Sequence, residues 1–87
     1  MYVIIVYDIN VDRVNKVKAF LRQYLFWIQN SVFEGEISEV KLKELLHVAH
    51  GFMEDDEDSI ILFKHPSKVF LEKEVVGKER SNTDIFL

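Results

Sequence analysis

The hydrophobic positions of the chain change period several times, and each change marks an element. Residues 3–7, within Met-Tyr-Val-Ile-Ile-Val-Tyr-Asp, are an unbroken run of β-branched and aromatic side chains closed by Asp8 and Asn10. Such a run predicts a short strand buried on both faces. Beyond it Val14, Val17, Phe20, Leu21, Tyr24 and Leu25 recur at helical spacing, with Asn15, Lys18 and Arg22 opposite. This predicts an amphipathic helix over residues 11–25, capped by Asp12. Residues 26–28 and 32–37 read as strand on either side of Gln29, Asn30 and Ser31, whose polar side chains favour a turn or a bulge. One kinked strand and two short ones fit this pattern equally well.

Ser38 is placed to cap a second helix, with Leu42, Leu45, Leu46, Ala49 and Phe52 as its apolar stripe and Gly51 as its terminator. The acidic run Glu54, Asp55, Asp56, Glu57 and Asp58 reads as a solvated loop. Residues 59–63 form another continuous apolar strand, Pro66 marks the turn after it, and residues 68–76 are a further strand candidate. A polar tail ends in Ile85, Phe86 and Leu87.

This order matches an α+β, ferredoxin-like βαββαβ plan with an extra C-terminal strand. In that plan both helices cover one face of the sheet, and the other face is expected to be polar. Here Val3, Ile5 and Tyr7 point one way while the equally apolar Tyr2, Ile4 and Val6 point the other. Something must cover the second face. The simplest cover is a second copy, giving a homodimer with sheets packed face to face. The extra strand and tail, about residues 68–87, would then complete the partner's sheet edge.

With 87 residues the chain is one domain, residues 1–87. At 48% hydrophobic it holds more apolar material than so small a core readily hides, which again favours a dimer. The absence of cysteine excludes thiolate catalysis and sulfur-based zinc sites and fits a reducing, cytoplasmic setting. No apolar run approaches a membrane span, so no membrane partner is expected. A net charge of -4 argues against nucleic acid as a partner, but the acidic run carries much of it: without those five residues, 11 basic face 10 acidic ones.

Gly35, Gly51 and Gly77 stand alone, so no phosphate-cradling loop exists, and no nucleophile elbow is present. His47 and His50 share a helix face without a third ligand and read as ordinary helix-end histidines. Glu34 and Glu36 share one strand face and are expected to be exposed, with Phe33 packing on the other. Asp8 is the informative carboxylate, because it ends a buried strand and precedes the turn into a helix. Arg13 falls inside the apolar arc of that helix and points back toward Asp8. This is either a salt bridge or a carboxylate for a metal ion beside a cation for phosphate, the parts that phosphodiester hydrolysis requires. Lys18 and Arg22 on the exposed helix face, with Lys16 and Arg13 at its margin, are the candidates for contact with DNA or RNA.

Tyr7-Asp8-Ile9 after an apolar strand, an Arg in the next helix, the string Gln29-Asn30-Ser31-Val32-Phe33-Glu34-Gly35-Glu36, and Asp58-Ser59-Ile60 opening a later strand together resemble the second CRISPR-associated protein family. The resemblance spans about the whole chain. It implies a dimeric ferredoxin-like protein that works with the CRISPR integrase in spacer acquisition, and an endonuclease that hydrolyses RNA or DNA. It implies magnesium, or manganese, held by Asp8, one carboxylate per protomer. Tyr7, Arg13, Lys16 and Phe33 fall at or near positions tied to activity. Trp27 departs from the pattern, since some relatives carry a basic residue there. Two other readings stand beside the enzyme: a non-catalytic adaptor bridging integrase subunits and DNA, and a small ferredoxin-like regulatory domain.

Overall fold

The computed structural model describes residues 1–67 and 71–80. The chain runs β1 (Tyr2–Asp8), α1 (Val11–Leu21), β2 (Phe26–Gln29), β3 (Val32–Glu36), α2 (Glu39–Gly51) and β4 (Ser59–His65). The strands form one antiparallel sheet in the order β2-β3-β1-β4. Each strand-helix-strand unit leaves room for one inserted strand: β3 between β1 and β2, and β1 between β3 and β4. This is the anticipated ferredoxin-like plan.

The alternation along β1 sorts its side chains as expected. Val3, Ile5 and Tyr7 are buried under the helices, while Tyr2, Ile4 and Val6 are half-buried on the other face. Phe33 of β3, Val17 and Leu21 of α1, and Leu42, Leu45 and Ala49 of α2 complete the core. Full burial of each large aliphatic or aromatic side chain contributes about 1.5–3 kcal/mol. Phe20 meets Phe52 edge-on, ring centroids 5.9 Å apart, which joins the two helices. At Gly35 a Cβ would stand 3.0 Å from Leu25 Cδ2, so the glycine admits that leucine against the sheet.

Several boundaries differ from the sequence expectation. Asn10, not Asp12, caps α1: its side chain accepts from the Asp12 N–H at 2.9 Å, and Asp12 takes the first turn, where its charge opposes the helix dipole favourably. The helix stops at Leu21 and not Leu25. Helix-like bonds nevertheless continue, from Gln23 N–H to Phe20 O and from Leu25 N–H to Leu21 O, so the apolar period outlasts the helix. Residues 26–37 make two strands with a register shift between Trp27 and Gln29, and the turn between them holds Asn30 at φ 43°. Ser38 caps α2 as expected, through its Oγ and the Lys41 N–H. Gly51 lies within the last turn and Phe52, at φ −90°, is the C-cap, so the glycine is not a left-handed terminator. Of the extra-strand candidate over 68–76, residues 71–76 adopt no strand, because an extended segment needs a hydrogen-bonding edge to become one. Residues 68–70 and 81–87, with the apolar tail, lie outside the described residues.

Residues opposite one another in an antiparallel pair share a face. The registers therefore gather Tyr2, Ile4, Val6 and Asp8 of β1, Ser59, Ile61 and Phe63 of β4, and Val32 and Glu34 of β3 on the face away from the helices. Ile61 is 54% and Phe63 58% exposed there. Glu34 is 8% exposed, against the expectation of a solvated glutamate. Lys73 pairs with its carboxylate, and Tyr2 lies against it. Burial first, and Glu34 next, push the Tyr2 phenol up to about 12. Glu36 is exposed as expected and pairs with the N-terminal amine at 3.0 Å.

Candidate functional site at the end of the central strand

β1 ends at Asp8, beside three chain reversals: the turn into α1, the β2–β3 turn and the loop over residues 54–58. The strand end is held from below and from the side. Tyr7 packs its ring on Phe33, centroids 6.0 Å apart, its N–H donates to Ser31 O at 3.0 Å, and its hydroxyl reaches Asn30 O at 3.5 Å. Burial pushes the Tyr7 phenol up, with the charge of Arg22 and a hydrogen bond with Ser31 acting the other way. Phe33 is fully buried. Both aromatic residues therefore reach the site only through packing, because their side chains lie on the helix-covered face.

Asp8 points to the open face, opposite Ser59, and is exposed. Among the described residues its carboxylate has no hydrogen-bond or ion-pair partner. The expected pairing with Arg13 does not form. Arg13 does turn inward from α1, but its Nε donates to Asp58 Oδ2 at 2.7 Å, and its Nη2 to Glu57 Oε1 at 2.9 Å and Asp58 Oδ1 at 3.2 Å. The nearer acid wins because Asp58 is presented by a loop that wraps α1's first turn. Asp58 also accepts from the N–H groups of Asn10 at 2.8 Å and Glu54 at 2.9 Å. Its side chain is completely buried, which overturns the reading of residues 54–58 as a uniformly solvated run. The Arg13 guanidinium holds the Asp58 carboxyl far below the usual range, with the two backbone N–H groups adding to this against desolvation. Arg13 is in turn raised above its ordinary value by Asp58 and Glu57.

Sequence reasoning missed Asn10 and Asp58 as the residues that fix this end. The available signal was Asp58-Ser59, a carboxylate just before a strand that pairs with β1. Lys16 and Arg22 are exposed and Lys18 half-exposed, and none has an ion pair among the described residues. Asn15, Lys18, Ala19 and Arg22 line a shallow depression on α1. His50 pairs with Asp55, as exposed helix-end chemistry. Among the described residues no three His, Asp or Glu side chains converge as a metal site. No helix among them is long and apolar enough to cross a membrane.

The Asp8 carboxylate is a hard, exposed oxygen ligand with no competing N–H donor. That suits an ion which takes one or two carboxylates and completes its shell with water and phosphate oxygens, as magnesium does.

Comparison with known proteins places the whole chain. The family model described as CRISPR associated protein Cas2 matches residues 1–73. A protein of Methanocaldococcus jannaschii named CRISPR-associated endoribonuclease Cas2 is 45% identical over 97% of this chain and 74% of its own length. One of Thermococcus kodakarensis with the same name is 44% identical over 93% of both chains. A solved structure titled as the crystal structure of cas2 superposes with a TM-score of 0.85 at 48% identity, covering 93% of this chain and 91% of that one. A Streptococcus pyogenes Cas2 structure, at 24% identity and TM-score 0.78 over 88% of this chain and all of that one, shares the fold. With a family model over residues 1–73, relatives about 45% identical over nearly the whole chain and a shared fold, the chain belongs to the CRISPR-associated protein Cas2 family.

Proposed function

We propose that this protein is a metal-dependent endonuclease of CRISPR immunity that cleaves RNA or DNA phosphodiester bonds at Asp8. We further propose that it acts as a homodimer, with the CRISPR integrase, in spacer acquisition. The observation that carries the reading is the unpartnered, exposed Asp8 carboxylate at the end of a rigid buried strand. Its curated relatives are named endoribonucleases. Bound there, magnesium or manganese would supply a Lewis acid for the phosphate and a more acidic water. The chain's own residues fix the geometry. Tyr7 and Phe33 hold the strand beneath Asp8, and Arg13 and Asp58 fix the loop that places Ser59 opposite it. Lys16, Lys18 and Arg22, without an ion pair among the described residues, offer cations to the phosphates.

The dimer is supported by the apolar open face. Ile4, Val6, Ile61 and Phe63 form a continuous surface that a second copy covers with the same residues. Asp8 projects from that face, so two copies bring two such carboxylates to one side of the assembly.

The adaptor reading has an observation of its own. Arg13 is bound to Asp58 and Glu57, so among the described residues its guanidinium is not free to neutralise a phosphate at Asp8. Asp8→Asn separates the two readings. Cleavage of single-stranded RNA and of DNA with magnesium should disappear in the variant and in the wild type with chelator, while the fold persists. Spacer capture with the integrase is measured in parallel. Full cleavage by the variant sinks the catalytic assignment; lost cleavage with intact capture makes the adaptor role the main one.

A further inference from the structure

Trp27 pairs with Phe33 and so lies on the helix-covered side of the sheet, on the outer strand, where it is half-buried. We propose that Trp27 and Arg22 form a stacking subsite for one nucleobase of a single-stranded nucleic acid. This rests on the nucleic-acid reading above and names the part of the substrate that is gripped.

Three observations build the subsite. The indole Nε1–H donates to Asn30 O at 3.0 Å, which fixes the ring against the β2–β3 turn. Arg22 is exposed and holds its guanidinium carbon 5.9 Å from the centre of that ring. Asn30 O also accepts from the Tyr7 hydroxyl at 3.5 Å, and Tyr7 adjoins Asp8, so one carbonyl ties the ring to the strand end. Lys18, one turn before Arg22, adds a cation without an ion pair among the described residues. Elsewhere Arg13, Lys41 and Lys73 are engaged by Asp58, Glu44 and Glu34.

Magnitudes decide what happens when a base arrives. An exposed cation–π contact shifts an equilibrium by about two- to fivefold. Stacking of a base on an aromatic ring is worth about five- to 150-fold. The base therefore displaces Arg22 from the indole, and the freed guanidinium takes the adjacent phosphate together with Lys18. A base inside a duplex has both faces occupied and gains nothing here. The subsite thus selects single strands.

Trp27 is the only tryptophan in the sequence, so its emission reports on this ring alone. The full chain is titrated, with chelator to prevent cleavage, with an unstructured RNA of about 12 nucleotides, the same DNA single strand, and the corresponding duplex. Both single strands should quench Trp27 emission in step with binding measured by anisotropy, and the duplex should not. Trp27→Ala should weaken single-strand binding about tenfold, with Trp27→Phe restoring most of it. Binding without quenching, equal quenching by duplex, or no single-strand binding overturns the proposal. If Trp27→Ala does not fold, quenching of the wild-type protein decides alone. Asp8-dependent cleavage without quenching removes the subsite and leaves the nuclease; quenching without cleavage does the reverse.

Discussion

Arg13 Nε donates to Asp58 Oδ2 across 2.7 Å, and through that bond the first turn of α1 is fixed to the residue just before β4. Since β4 pairs Ser59 with Asp8, this ion pair sets the surroundings of the candidate carboxylate without touching it. Removing one member leaves the other partly buried and unpaired, which is the costly way to break such a pair. Asp58→Asn should lower the melting temperature by roughly 5–10 °C, and Arg13→Gln in the Asn background should add little more. Equal and additive losses in a double-mutant cycle would show that the two residues act separately.

The same pair gives an acid limit to stability. The folded-state pKa of Asp58 is depressed relative to its unfolded value near about 3.9. Its contribution is therefore fully present above that value and is lost as pH falls below it toward the folded pKa. Thermal melts of the wild type should decline steeply below about pH 4, and the Asp58→Asn protein should show a shallower acid slope.

Tyr2 makes the opposite prediction at high pH. Its folded pKa is raised from 10.0 to about 12, so its contribution is present below pH 10.0 and disappears as pH rises through about 12. Near-ultraviolet tyrosinate absorbance should show late titration from the two raised phenols, Tyr2 and Tyr7, and the Tyr2 part of it should be lost in Tyr2→Phe. Glu34→Gln should move that titration down only in part, because burial is the larger cause.

Asn30 sits at φ 43°, where most L residues are strained. Asn30→Gly should be neutral or slightly stabilising, and Asn30→Val should cost about 1–2 kcal/mol, read from denaturant midpoints. Both leave the backbone carbonyl that receives Trp27 and Tyr7. Indole emission should therefore be preserved in the glycine variant, and a large change in it would place the turn elsewhere.

For the proposed dimer, Ile61→Lys with Phe63→Lys puts charge on the open face without entering the helix-side core. Sedimentation should show the wild type at twice the chain mass and the variant as a folded monomer. A wild-type monomer at micromolar concentration would remove the second Asp8 from the site.

Asp8→Asn itself should leave thermal stability nearly unchanged, because an exposed carboxylate with no partner among the described residues supplies little folding energy. A melting-temperature loss comparable to that of Asp58→Asn would give Asp8 a structural role.

What the sequence by itself determined is what periodicity and chain order encode. The run over residues 3–7, the stripe of Val17 and Leu21, the stripe of Leu42, Leu45 and Ala49, and the βαββαβ order led to the sheet and its inner face. Burial follows from local period once elements pack. Asp8 was legible because a strand end is a local feature. The partner of Arg13 was not, because the acids at 57 and 58 are more than forty residues away and only the β1–β4 register brings them to α1. For the same reason Glu34 looked exposed by alternation, whereas the fold buries it and sets Lys73, distant in sequence, against its carboxylate. Trp27 looked like the loss of a cation from β2; the fold returned one by laying Arg22 over its ring. Ion pairs and ring contacts between distant segments depend on distances of a few ångströms that no linear pattern carries, so the tertiary structure alone assigned them.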